Sequence, residues 1–204
     1  MMNGENKIIN LKGLILSVLL SCLITVITII TVLPMSTNLL LMYFLSAGIP
    51  ALITGIVYVL MITKSPRIGT YCILPFVMAV YYVICGSLST ALFFLIAGVL
   101  SELVMIGGRD KKWRPLVPWL IHWLTYTFAG VLQYLLMRGT LLKTYMGLGM
   151  DEATANTTMD YIFASYVNPR NVVIAIVCCV ALAVLGYFIG VKVLHKYFKT
   201  AGIA

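Results

Sequence analysis

Few residues in this chain of 204 could do chemistry. The histidines are His122 and His195, the acids number six, and the five cysteines, Cys22, Cys72, Cys85, Cys178 and Cys179, form no C-x-x-C pair. H-E-x-x-H, G-x-S-x-G and the phosphate-binding glycine loop are all missing, so metal-assisted hydrolysis, acyl transfer and nucleotide hydrolysis have no motif here. We expect no catalytic residue, no metal and no cofactor, and the cysteines read as small apolar filler. Glu102 is the one acidic residue inside an apolar run. It lies seven residues before Arg109, which leaves it either an interfacial carboxylate paired with arginine or a contact for a partner or coupling ion. An intramembrane enzyme built on His122 is the alternative to a binding function.

Recognition is better represented. Met42, Tyr43, Tyr81, Tyr82, Phe93, Phe94, Gln133 and Tyr134 stand near the ends of apolar runs that meet at one depth if the runs bundle. Aromatic, thioether and hydroxyl groups of this kind suit a mostly apolar pocket with a few orienting polar groups, although each tyrosine would serve equally in an interfacial belt. Arg138 and Arg170 are the candidates to meet an acidic group on a ligand, with Asp151, Glu152 or a lipid phosphate as other partners for Arg138. His122, Tyr126, Ala129 and Gln133 recur at i, i+4, i+7 and i+11, a stripe suited either to interhelical hydrogen bonds or to a ligand. Trp119 and Trp123 read as an interfacial belt.

The elements that position these residues follow from composition. The residues AVILMFWYC make up 62% of the chain and charged residues 10%, a balance no soluble surface can cover. A helical span of the hydrocarbon core takes about 20 apolar residues. Six apolar, nearly uncharged runs qualify: Gly13 to Leu33, Asn38 to Thr63, Ile68 to Cys85, Leu88 to Ile106, Leu116 to Met137 and Asn171 to Leu194. Lipid offers backbone amides no partner and the alternating strands of a barrel are missing, so the fold class is all-α: one membrane domain over residues 1–204, a bundle of six transmembrane helices. Pro50 is expected to kink the second span. The first span is too long for a secretory leader and reads as uncleaved.

Lys7, Lys12, Lys64, Arg67, Arg109, Lys111, Lys112, Arg114, Lys192, Lys196 and Lys199 fall on one side of such a bundle, and Arg138, Lys143 and Arg170 on the other. The positive-inside rule then predicts both termini in the cytoplasm. Short juxtamembrane clusters do not make a nucleic-acid surface. The outer loop 138–170 is long enough to carry its own structure, and Met159, Ile162, Phe163 and Tyr166 predict a helix lying over the outer mouth as a lid or as an inert interfacial element. Gly13, Ser17 and Ser21, spaced by four, make a smooth stripe on the first span. It serves either packing inside the bundle or docking on another membrane subunit.

The ending Gly186-x-x-x-Gly190-x-Lys192-x-Leu194-His195-Lys196-Tyr197-Phe198-Lys199-Thr200-Ala201-Gly202-Ile203-Ala204 resembles the close of the Trep_Strep family of bacterial membrane proteins, and Asp151-Glu152-Ala153-Thr154-Ala155-Asn156-Thr157 resembles that family's E-x-A-N-T segment. That family in turn resembles the substrate-binding S component of energy-coupling factor transporters, importers of vitamins and other micronutrients. The resemblance implies a subunit of the bacterial plasma membrane that captures a small vitamin-like or tetrapyrrole-like molecule outside. It also implies a transmembrane coupling subunit and two cytoplasmic ATPases as partners, with Gly13, Ser17 and Ser21 in place of the small-residue docking stripe of the first helix. A scaffold without a ligand is the remaining alternative.

Overall fold

A computed structural model describes residues 8–106, 113–136 and 138–198. Lys7, Arg109, Lys111, Lys112, Met137 and the tail 199–204 lie outside the described residues, as do the side chains of Gln133, Tyr134 and Tyr166. The described chain is all-helical: α1 (Leu11–Val32), α2 (Leu39–Leu45), α3 (Gly48–Lys64), α4 (Thr70–Ile84), α5 (Leu88–Met105), α6 (Leu116–Leu136), α7 (Arg138–Gly147), α8 (Glu152–Tyr166) and α9 (Pro169–Val193). Among the described residues, four stretches are long and apolar enough to cross a membrane: Leu11–Met35, Leu40–Lys64, Leu88–Met105 and Pro169–Lys196. α4 and the apolar part of α6, Leu116–Leu132, are shorter. α4, with 15 residues, is about 22 Å long at the usual rise of 1.5 Å per residue.

Helix starts follow local chemistry. Asn10 accepts from the Gly13 amide, Asn38 from Leu40 and Leu41, and Asn168 from Arg170 ahead of Pro169. The expected second span is broken: α2 ends at Leu45 and α3 begins at Gly48, with Pro50 in its first turn. A proline ring clashes with the carbonyl four residues back, here that of Ser46, so the interruption expected from Pro50 falls at Ser46 and Ala47, whose backbone stays in the right-handed helical region. At the foot of α4, Glu102 of α5 accepts from the Tyr71 amide at 3.1 Å, which satisfies one of the free N–H groups of a helix start. Arg114 donates to the carbonyls of Val104 at 3.0 Å and Ile106 at 3.3 Å, closing the C-terminal end of α5.

Six helices form a closed ring in which α1 packs on α3 and α4, α4 on α5, α5 on α6, α6 on α9, and α9 on α3. The closest crossing joins α3 and α9. A Cβ on Gly186 would strike the Ala51 carbonyl and stand 2.7 Å from the Leu52 Cα. One on Gly190 would stand 2.7 Å from the Gly55 carbonyl oxygen, and one on Gly55 would meet the Gly186 backbone. Backbone-to-backbone contact of this kind is the packing that small residues permit where lipid removes the hydrophobic drive between helices.

α1 reverses the pattern of a soluble amphipathic helix. Leu14, Ile15, Leu19, Leu23, Val26 and Ile30 are exposed, whereas Ser17, Ser21, Thr25 and Thr28 are buried. Of the stripe open to either packing or docking, Ser17 and Ser21 are buried inside the chain and Gly13 is half-buried. Ser21 reaches the Met61 sulfur of α3 at 3.4 Å, and a Cβ on Gly13 would stand 2.6 Å from Ser65 Oγ, so the stripe is consumed by packing inside the chain. The two tryptophans are corrected: Trp119 and Trp123 have no exposed surface, and Trp119 donates to the Ala183 carbonyl at 3.1 Å while stacking on Tyr58 at 4.4 Å.

Replacement of Gly186 by leucine forces the α3–α9 crossing apart, and overpacking of this kind costs about 1–3 kcal/mol or more. Gly130 has open space around its Cβ position, so Gly130→Ala is neutral or stabilising. Thermal denaturation of the two variants in the same detergent checks the contrast; equal stability would overturn the assignment of the crossing.

Candidate ligand-binding site

Two cavities of about 220 and 230 Å³ open at the end of the ring where α1 and α4 finish and α5 begins. The first lies among α1, α2, α4 and α6 and is lined by Thr25, Thr28, Met78, Tyr81 and neighbouring aliphatic side chains. The second lies among α2, α5 and α6 and is lined by Tyr43, Ser46, Thr90, Thr127 and the small residues Ala129 and Gly130. Met42, Tyr82 and Tyr126 line both and divide them. Tyr82 stacks on Phe94 with centroids 5.4 Å apart and planes 12° from parallel, and Phe94 is itself fully buried. Stacking of this kind holds the Tyr82 ring in one orientation.

The sequence brings these groups together through helix register. Thr25 and Thr28 continue the inward face of α1 that Ser17 and Ser21 begin. Their hydroxyls donate to the Ser21 carbonyl at 2.9 Å and the Ile24 carbonyl at 2.8 Å, which makes them compatible with an apolar interior. Tyr81 and Tyr82 stand on the last turn of α4, and the break between α2 and α3 brings Met42 and Tyr43 to the same level.

α7 and α8 cover this end. Ala155, Met159 and Ile162, at i, i+4 and i+7 on α8, are buried, and Met159 and Ile162 share a cluster with Tyr43 of α2, Val131 of α6 and Ala175 of α9. Tyr43 and Val131 also line the second cavity, so α8 is packed directly over its walls. The expected α8 face is corrected at Phe163, which is exposed; the buried row begins at Ala155 instead. Arg138, at the start of α7, is ion-paired with Asp160 of α8. Asp151 caps α8, accepting from the Thr154 hydroxyl at 2.6 Å and the Thr154 amide at 2.9 Å, and these bonds hold its carboxyl below the usual carboxylate range.

A family model described as "Hypothetical bacterial integral membrane protein (Trep_Strep)" matches residues 11–200. The chain belongs to the Trep_Strep family. No curated protein and no solved structure matches it.

Of the site residues expected in this Trep_Strep protein, Met42, Tyr43, Tyr81 and Tyr82 line the cavities, and Phe94 supports Tyr82 from behind. Phe93 is partly buried one position away and is not among the lining residues of either cavity. Arg138 is engaged by Asp160 and Arg170 is exposed at the start of α9; neither is among the lining residues of these two cavities. The Gln133 and Tyr134 side chains fall outside the described residues. Thr25, Thr28, Met78, Ser46 and Thr127 are lining residues the site expectation lacked, although Thr25 was legible as the next step of the Gly13, Ser17, Ser21 row.

His122 is buried behind this site. Its ring lies 5.4 Å from Phe94, 5.1 Å from Trp123 and 6.4 Å from Trp119, and neither ring nitrogen has a hydrogen-bond partner among the described residues. It is not among the lining residues of either cavity, and no nucleophile or carboxylate among the described residues is hydrogen-bonded to it.

Two outcomes are expected. The depressed Asp151 carboxyl contributes stability that is present above its unfolded value, about 3.9, and is lost as pH falls through the lower folded value. Amide exchange at the start of α8, corrected for intrinsic rates, should rise below about pH 4, and Asp151→Asn should abolish that dependence; an identical profile in both proteins would refute the cap. Because burying an unpaired polar group carries a penalty of about 1–3 kcal/mol, His122→Phe should leave the melting temperature unchanged or raised. A fall of several degrees would show that the imidazole has a partner.

Proposed function

We propose that this Trep_Strep protein is the substrate-capture subunit of a membrane importer, of the kind represented by the S components of energy-coupling factor transporters. In this reading all six ring helices cross the bacterial plasma membrane, both termini are cytoplasmic, and the cavities beneath α8 open outward. A transmembrane coupling subunit and two cytoplasmic ATPases supply the energy, and this chain performs no chemistry.

The observation that carries the proposal is the pair of cavities at one end of a closed helical ring, divided by Met42, Tyr82 and Tyr126 and covered by a separate helix. A chain whose only role was scaffolding would gain stability by filling that volume, since an unfilled cavity costs of order 20 cal/mol per Å³ in lost packing. The basic residues Lys12, Lys64, Arg67, Arg114 and Lys192 cluster at the opposite end of the ring, which supports the orientation. The length of the α7–α8 segment supports a cover over a binding mouth.

Native mass spectrometry of the gently extracted protein tests the reading. The expected spectrum contains a small-molecule adduct together with a coupling subunit and ATPases, and the adduct is lost from a Tyr82→Ala, Tyr126→Ala double variant that still folds. A chain that carries neither ligand nor partners, and gains no thermal stability from any member of a panel of water-soluble micronutrients, would overturn it.

A further inference from the structure

The walls of the two cavities restrict the class of molecule they can hold, a restriction that rests on the capture reading. Among the described residues, no lysine, arginine, histidine, aspartate or glutamate lines either cavity. The arginine expected to meet an acidic group, Arg138, is engaged by Asp160 on the cover, and Arg170 lies exposed at the start of α9. An ion entering these cavities would leave water without gaining a counter-charge, which is strongly unfavourable in a low-dielectric surrounding.

The two compartments also differ in what they offer. In the first, Thr25 and Thr28 have already given their hydroxyl protons to α1 carbonyls, so beside Met78 and the aliphatic wall they present methyl groups and lone pairs. The second adds Ser46 and Thr90, and Thr90 there accepts a hydrogen bond from Ser87 at 2.8 Å, leaving its own proton free to donate. Each compartment exceeds the roughly 150 Å³ that holds a benzene ring in an engineered apolar cavity. Neither alone reaches the roughly 300 Å³ at which small-molecule sites begin, whereas the two joined past Met42, Tyr82 and Tyr126 do.

We infer that the ligand is an uncharged two-part molecule. A flat apolar ring system occupies the compartment beside Thr25, Met78 and Tyr81, and a neutral hydrogen-bonding end occupies the compartment beside Ser46 and Thr90. Thioether and aromatic edges accommodate a ring without demanding one substitution pattern, and hydroxyls orient the polar end without charge.

Three matched probes test this: 2-naphthalenemethanol, 2-naphthoate and 2-naphthylmethylammonium, equilibrated by dialysis with the protein in nanodiscs of zwitterionic lipid against empty nanodiscs. The alcohol should bind saturably and at least tenfold more tightly than either ion. Thr90→Val, with Ser46→Ala as a second variant, should weaken the alcohol several-fold, and Arg138→Gln should leave all three unchanged. Tightest binding of naphthoate that disappears in Arg138→Gln would overturn the inference, as would the absence of saturable binding by all three. The capture reading is judged separately by the native mass spectrum: a charged co-purifying compound would refute the uncharged class and leave capture standing, while an empty, partnerless protein would refute capture.

Discussion

The rest of this structure depends on the requirement that polar groups placed in lipid find partners inside the protein. The inward face of α1 shows its consequence: Ser21, Thr25 and Thr28 are buried and hydrogen-bonded, while Leu14, Ile15, Leu19, Leu23 and Ile30 of the same helix face outward. Hydroxyls that donate to their own helix carbonyl, as Thr25, Thr28, Thr54 and Thr127 do, can stand in an apolar interior without an unsatisfied proton. The same requirement turns Trp119 inward, where its indole N–H reaches the Ala183 carbonyl of α9. Small hydroxyl side chains in the interior also leave room between helices, and near the covered end of the ring that room becomes the first cavity.

Close packing is concentrated elsewhere. Along α3 and α9 the glycines Gly55, Gly186 and Gly190 bring backbone onto backbone, and the aromatic core of Tyr58, Trp119, Trp123 and Tyr187 fills the adjoining part of the ring. Toward the other end, large side chains from α2, α4 and α6 meet at Met42, Tyr82 and Tyr126 without filling the volume. The bundle thus has a tight half and an open half. The cover formed by α7 and α8 is held by a shallow apolar row and by the exposed Arg138–Asp160 pair, a type of contact worth about 0–1 kcal/mol.

The inward-facing polar stripe explains why some site residues were legible and others were not. Tyr81, Tyr82, Met42 and Tyr43 could be placed at one depth because helix ends are marked by Asn38, Pro34 and Gly86, and depth in a bundle follows from distance to those ends. Thr28, Met78 and Thr127 sit in longer apolar or mixed stretches, where no local pattern distinguishes a wall of a cavity from a packed core position. Phe93 and Phe94 are adjacent, and which of the two enters the core is decided by the rotation of α5 against α4 and α6. α7 was invisible because Arg138–Gly147 mixes charged, hydroxyl and apolar residues with no buried face of its own.

What the sequence determined by itself is the class of molecule: a 62% apolar chain with six nearly uncharged runs can satisfy its backbone in lipid only as helices, and the match over residues 11–200 places it among bacterial integral membrane proteins. It also marked the helix at Glu152–Tyr166, because an acidic cap and an apolar row at helical spacing are local signals. Tertiary structure alone decided which face each helix turns inward. That choice placed Ser17 and Ser21 in the packed interior, moved Trp119 and Trp123 from the membrane boundary into the core, and drew Arg138 to Asp160. The physical reason is that in a helix nearly apolar all round, hydropathy differs little between faces, so orientation is set by long-range fit of small residues, rings and hydrogen bonds.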